Sequence, residues 1–181
     1  MIQDKKVACL LASGYEDSEF RIPYDRLLQA GYSVDVIGAE AGKKLEGYKG
    51  KDSIRVTHVI DEVRPEDYAA LLIPGGHSPD QLRADERFVK FVKDFDALGR
   101  PLAAVCHGPQ LLMAAHLVKG RTLTAWETVR GDLEQIPGVH VKDEAVVRDG
   151  NWITSRKPAD LAPFSEALVQ ALEAQHAETR I

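Results

Sequence analysis

The stretch Leu102-Ala103-Ala104-Val105-Cys106-His107-Gly108-Pro109-Gln110-Leu111-Leu112-Met113 carries the strongest chemical signal in the sequence. An apolar run of strand character ends at Cys106, and an apolar helical pattern begins almost at once. This places a thiol on a sharp strand-to-helix turn, the arrangement that lifts the serine of α/β-hydrolases above its sheet. A sulfur at a helix N-terminus meets unpaired N–H groups and the positive dipole end, both of which favour thiolate. At its free pKa a cysteine is about 3% ionised at pH 7, and at a pKa near 6 roughly 90%. Cys9, inside Val7-Ala8-Cys9-Leu10-Leu11, has no such turn and reads as a buried structural residue.

The elements that must position Cys106 follow an alternating rhythm. Four short, mainly apolar runs read as strands buried on both faces: Val7 to Ala12, Val34 to Gly38, Ala69 to Pro74 and Leu102 to Cys106. Helical stripes lie between and after them. Tyr24, Leu27 and Leu28 form one, ending at Ala30-Gly31; Phe88, Val89, Val92, Phe95 and Leu98 form another, ending at Gly99; Leu161, Phe164, Leu168 and Leu172 form a terminal one. The pattern predicts a three-layer α/β sandwich with a mostly parallel, flavodoxin-like central sheet. Gly42 to Arg55 reads as a surface hairpin whose lysines face solvent. Asp149-Gly150, between Ala145-Val146-Val147 and Trp152-Ile153-Thr154, reads as a hairpin turn. Ligands in open α/β sheets sit at the carboxyl ends of strands, where Cys106 falls.

Composition narrows the classes. The 181 residues are 44% hydrophobic and 28% charged, ordinary globular values that exclude a disordered or fibrous chain. With no repeat or linker, residues 1–181 read as one domain, and such a chain can bury about 70% of its unfolded surface. Lys and Arg number 23 against 28 Asp and Glu, a net charge of -5 without a basic stripe, so no nucleic-acid partner is expected. No apolar run nears the roughly 18 to 20 residues that cross a bilayer, and Met1 to Lys6 lead straight into a strand without a leader pattern. Two cysteines cannot staple a chain of this size. The expectation is a reduced cytoplasmic protein with no membrane partner.

Several ordered motifs resemble the PfpI-type family of intracellular cysteine peptidases and stress proteins, some described as glyoxalase III or protein deglycase. They are Cys106-His107-Gly108-Pro109-Gln110, Ile73-Pro74-Gly75-Gly76-His77-Ser78-Pro79-Asp80 and Glu16-Asp17-Ser18-Glu19, joined by Trp152-Ile153-Thr154-Ser155-Arg156 and Pro158-Ala159-Asp160-Leu161. The likeness runs from Val7 to about Leu172. It implies Cys106 as nucleophile, His107 as general acid/base, and Glu19 as a buried glutamate beside the sulfur, protonated so that it can donate to thiolate. It also implies that Gly76 presents a backbone N–H to an oxyanion, paired with the N–H of His107. Asp80 matches the acid that a neighbouring subunit lends to the histidine, where the best-known peptidase has the longer glutamate. By itself Asp80 reads as a turn residue after Pro79, the lesser alternative. Trp126 matches a pocket aromatic, with core packing as the alternative; Arg156 would meet an anionic substrate, with a surface salt bridge as the alternative. Glu16, Asp17 and Ser18 read as helix-start residues, and Pro23 suits a first helical turn. Adjacent residues on such a turn diverge, so contact between His107 and the thiol does not follow from adjacency.

The resemblance implies thiolate attack on a reactive carbonyl, or on an acyl or peptide substrate, without cofactor or metal, in at least a homodimer. His77, His107 and Cys106 form no metal motif, and His58, His116 and His140 have no ligand-spaced partners. Two other readings use the same sulfur. A glutamine amidotransferase needs Gly-x-Cys-x-Gly-x-Gln, but Ala104 replaces the first glycine, and His176-Ala177-Glu178 lies at the chain end. A redox sensor or holdase would use oxidation of Cys106.

Overall fold

The computed structural model describes residues 5–179. The start of the chain, Met1 to Asp4, for which the sequence suggests no leader, lies outside the described residues, as do residues 180 and 181. The elements run β1 (Lys6–Leu10), α1 (Asp17–Gln29), β2 (Ser33–Gly38), β3 (Lys44–Glu46), β4 (Ser53–Arg55), β5 (His58–Val59), β6 (Ala70–Ile73), α2 (Ser78–Leu82) and α3 (Glu86–Asp96). They continue as β7 (Leu102–Val105), α4 (Pro109–Ala114), β8 (Thr122–Leu123), α5 (Glu127–Glu134), β9 (His140–Val141), β10 (Val146–Asp149), β11 (Trp152–Ser155) and α6 (Leu161–Thr179).

The central sheet is ordered β10-β11-β7-β6-β1-β2-β5. Every pairing in it is parallel except the edge pair β10–β11. Alternation along each strand feeds two cores. Ala8, Leu10, Leu71, Ile73, Leu102 and Ala104 pack toward α3, α4 and α5, whereas Val7, Cys9, Leu72, Ala103 and Val105 pack toward α1 and α6. Strands buried on both faces therefore read as continuous apolar runs, and the three layers follow. All four residues of the terminal stripe, Leu161, Phe164, Leu168 and Leu172, are buried. Each such side chain contributes about 1.5 to 3 kcal/mol by leaving water.

Three local expectations change. Pro23 lies inside α1, past its first turn, where its ring joins Phe20 and Leu27 on the buried face. Leu28, one residue from Leu27 and so about 100° around the axis, is 44% exposed. In the β10–β11 hairpin Asp149 pairs with Trp152, which makes Gly150 and Asn151 the two turn residues. Gly150 has φ 56°, as a primed turn requires at its first central position. The Gly42–Arg55 segment does form a hairpin, β3–β4, outside the central sheet.

The chain leaves β1 for β2 on one side and returns to β6 on the other. That reversal opens a crevice at the carboxyl ends of β1 and β6, beside the end of β7.

Candidate active site

Cys106 follows the last residue of β7 and has φ 64°, in the left-handed region. A side chain there costs roughly 1 to 2 kcal/mol, so the surroundings must hold it. They do so from three directions. The Cys106 N–H donates to Ser155 O (3.0 Å), its carbonyl accepts from Trp126 N (2.9 Å), and Gly108 N closes the turn onto Val105 O (2.8 Å). A Cβ on Gly108 would stand 2.6 Å from Ile73 O, so only glycine allows the turn to sit against β6. The elbow directs the sulfur into a cavity of about 630 Å³ at the crevice. It also brings the Cys106 Sγ to 3.3 Å from Nδ1 of His107, a contact that helix geometry alone does not supply.

The loop after β6 forms the second wall. Gly76 has φ 77°, and a Cβ there would fall 2.3 Å from Glu16 N and 2.7 Å from Gly14 O. No other residue type fits, because β1's following loop bridges to it through Tyr15. The backbone N–H groups of Gly76 and His107 both act on the Cys106 sulfur. They, rather than a long dipole, are what polarises the site, since α4 spans only Pro109–Ala114.

Glu19 projects from α1 into the same place and is fully buried. Its Oε1 accepts from Gly75 N (3.1 Å). Its Oε2 has no conventional hydrogen-bond partner, and the carboxyl's neighbour is the Cys106 thiol. Burial first, and the nearby charge of Glu16 second, push the Glu19 pKa up to about 8, so it is protonated at neutral pH. The Cys106 thiol is also pushed up, first by burial and then by Glu19 whenever that group is ionised. The two backbone N–H groups pull it down. The lowered thiol expected from a helix N-terminus is thus opposed by desolvation. Glu19 and Cys106 cannot both carry charge cheaply, so the pair gives up its two protons in coupled steps and at most one of the two groups ionises readily. His107, half-buried and beside His77, is held below its ordinary pKa by burial and then by His77.

The outer rim comes from elements distant in sequence. Trp126 stacks on His107 with centroids 6.4 Å apart at 25°, which makes it a wall of the pocket. Tyr48 and Lys49, from the turn between β3 and β4, line the opposite side, with Tyr48 edge-on to His77. The lysines of this hairpin face solvent, as its composition predicts, while its turn is also fastened to α1, because Asp17 accepts from the N–H groups of Lys49 (2.9 Å), Lys51 (2.8 Å) and Asp52 (2.9 Å). Glu16, read as a helix start, does cap α1 through Glu19 N (3.0 Å), and it also lines the pocket. The spacing of 33 residues between Glu16 and Lys49 gave no sign of their meeting.

Of the other candidates, Asp80 lines the cavity but pairs with Arg83 (2.5 Å). Arg156 is not brought to the cavity; its guanidinium binds Asp160 (3.0 and 3.1 Å) and Asp143 (2.9 Å). His176 stacks on Tyr32, away from the site. Cys9 is buried in β1 as a free thiol. Among the described residues no group of three or more His, Cys, Asp or Glu is placed to hold a metal ion, and no helix is long and apolar enough to cross a membrane.

Known proteins resemble the chain over nearly its whole length. Over 170 residues the chain is 44% identical to protein/nucleic acid deglycase 2 of Escherichia coli, covering 94% of this chain and 99% of that one. It is 43% identical over 169 residues to general stress protein 18 of Bacillus subtilis, covering 93% and 98%. A crystal structure of a two-domain protein with DJ-1/ThiJ/PfpI-like and ferritin-like domains from Anabaena variabilis superposes with a TM-score of 0.90 at 40% identity. That match covers 93% of this chain and 48% of the larger protein, so the chain spans about half its length. Residues 5–171 match the DJ-1/PfpI family, and the chain belongs to that family.

Proposed function

We propose that the protein is a stress-protective, cysteine-dependent enzyme that acts on reactive carbonyls or the adducts they form, as the deglycase relative's name suggests for that protein. The observation that carries this reading is the Cys106 sulfur, 3.3 Å from the His107 imidazole and flanked by the N–H groups of His107 and Gly76 and the buried Glu19. In the proposed reaction the sulfur attacks an aldehyde carbon and forms a hemithioacetal. The two N–H groups hold the resulting oxyanion. His107 then takes the proton from the former aldehyde carbon to give an enediol, which is reprotonated at the neighbouring carbon; the thioester so formed is cleaved by water to a 2-hydroxy acid and the free Cys106 thiol. No cofactor enters this sequence.

Carbonyls suit the site better than peptide bonds. An amide must expel its amine from the sulfur adduct, which requires an imidazolium that burial and His77 disfavour at His107, whereas a carbinolamine adduct can release its amine by reverting to the free aldehyde before the sulfur attacks. Within its own chain Asp80 is engaged by Arg83. Our reading follows the family resemblance in assigning any orienting role of Asp80 to a second copy of the chain in a cytoplasmic homo-oligomer, where Asp80 would have to leave Arg83; light scattering tests the oligomer directly.

The decisive assay is lactate formation from methylglyoxal by wild type and by Cys106→Ser. Turnover that disappears in the variant supports the proposal. If both proteins are equally inactive on methylglyoxal and on glycated peptides, while peroxide cleanly oxidises Cys106, the sulfur is a sensor instead.

A further inference from the structure

The wall beside Glu19 contains a second carboxylate and a cation whose place in the site nothing above assigns. Glu16 is only 4% exposed, yet it faces the cavity. Its Oε2 accepts from the Glu19 N–H (3.0 Å) and from Ser18, and its Oε1 lies 2.9 Å from the Lys49 ammonium. Lys49 is held there by its own backbone, because the turn carrying it is fastened to Asp17 and, through Tyr48 N, to Tyr15 O (2.9 Å). Tyr15 Oη and Arg21 Nε both donate to Asp52 and close the same turn from its far end. A fixed anion thus sits one helical turn from Glu19, and a fixed cation sits behind the anion.

We propose that Glu16 is a positioning residue for the reaction at Cys106: its negative charge, tempered by Lys49, keeps a proton on Glu19. This rests on the reading of Cys106 as the nucleophile. The line of groups is Lys49, Glu16, Glu19, Cys106. A charge at one member changes the proton affinity of the next: the step from Glu16 to Glu19 is buried, whereas Lys49, 45% exposed, acts on Glu16 by direct contact and is partly screened by water. Glu16 stays ionised because, although burial opposes it, Ser18, Lys49 and the Glu19 N–H all stabilise its charge. Its charge raises the proton affinity of Glu19, and that of Lys49 lowers it. The other titratable groups at this cavity are Tyr48 from the hairpin turn, His77 and Asp80 from the start of α2, and Cys106 and His107 from the elbow. None of them touches Glu16 through a hydrogen bond among the described residues. The pairing makes the hairpin turn an adjuster of the nucleophile, although it brings no group to the sulfur itself.

The test is the pH dependence of Cys106 alkylation by iodoacetamide in the full chain, with wild type, Glu16→Gln, Lys49→Met and Lys49→Arg. Glutamine keeps an oxygen to cap Glu19 N, and methionine keeps most of the lysine stem, so the fold survives both. Circular dichroism melts check that. The inflection for loss of the first proton from the Glu19–Cys106 pair should move down by about half a pH unit or more in Glu16→Gln. It should move up in Lys49→Met and return to the wild-type position in Lys49→Arg. The infrared carboxylic C=O band that vanishes in Glu19→Gln should titrate with the same opposite shifts. A purely structural role would lower stability in each variant without moving the inflection in opposite directions. Shifts of one sign in both variants, or none, would overturn the inference. Alkylation needs no turnover, so a chain that shows these shifts but converts no carbonyl would refute the proposed activity and leave this assignment standing.

Discussion

His107 Nδ1 and Cys106 Sγ are 3.3 Å apart although the residues are consecutive, because Cys106 occupies the left-handed region and turns its side chain back toward its neighbour. The proposed nucleophile and the proposed acid/base thus share one turn, whose backbone angle is held by hydrogen bonds to Ser155 and Trp126.

His107 should be required for proton transfer but not for the existence of the thiol. His107→Gln is expected to lower kcat on methylglyoxal about 10²- to 10⁴-fold. Alkylation of Cys106 at a pH above its inflection should change far less. Equal losses in both measurements would show that the imidazole serves the sulfur's ionisation alone.

The backbone at Cys106 predicts an unusual order of stability. Cys106→Gly should be more stable than Cys106→Ala by about 1 kcal/mol, since glycine alone is unstrained at φ 64°. Urea denaturation of the two inactive variants reads this directly. An alanine variant at least as stable as glycine would mean that the turn relaxes once the sulfur is gone.

Glu19 makes stability depend on pH. Its pKa rises from 4.5 to about 8 on folding. The folded chain therefore binds more protons than the unfolded chain between those values, and stability falls as pH rises through that window. The contribution is fully present below pH 4.5 and lost above about 8. Glu19→Gln removes this dependence. It should gain on wild type by on the order of a few kcal/mol between pH 5 and 9. Denaturation midpoints that keep a constant gap across this range would contradict a protonated Glu19.

Gly76 tolerates no side chain. Gly76→Ala would place Cβ 2.3 Å from Glu16 N in a backbone conformation that alanine avoids. A loss of more than about 2 kcal/mol is expected, together with loss of turnover, because the loop can yield only by moving its N–H away from the sulfur. Retained activity in a folded Gly76→Ala protein would remove that N–H from the mechanism.

Arg156 separates two readings of one residue. Bound to Asp160 and Asp143, it should support the loop after β11 and not the substrate. Arg156→Met is expected to lower the melting temperature while leaving KM unchanged. A raised KM for an anionic substrate at unchanged stability would restore the substrate contact.

What the sequence discloses follows from the range of the forces involved. The apolar runs of β1, β2, β6 and β7 are legible because burial on both faces is written into consecutive residues. Cys106, Gly76 and Glu19 are legible through local motifs and a family resemblance. The contact of His107 with the thiol was not, since it depends on one φ angle that helix periodicity does not encode. The exposure of the hairpin's lysines is legible, but the place of Lys49 and Tyr48 at the pocket is not, because the partners that anchor their turn, Asp17 and Tyr15, are more than thirty residues away. Pro23 resembled a first-turn proline because helix-start chemistry at Glu16 to Glu19 is also pocket chemistry.

The β3–β4 hairpin stands apart from the central sheet and is tied down chiefly at its tip. Exchanging the few residues of this appendage would therefore remodel who enters the crevice and, at Lys49, the charge beside Glu16, while the strands and helices that carry the thiol stay as they are.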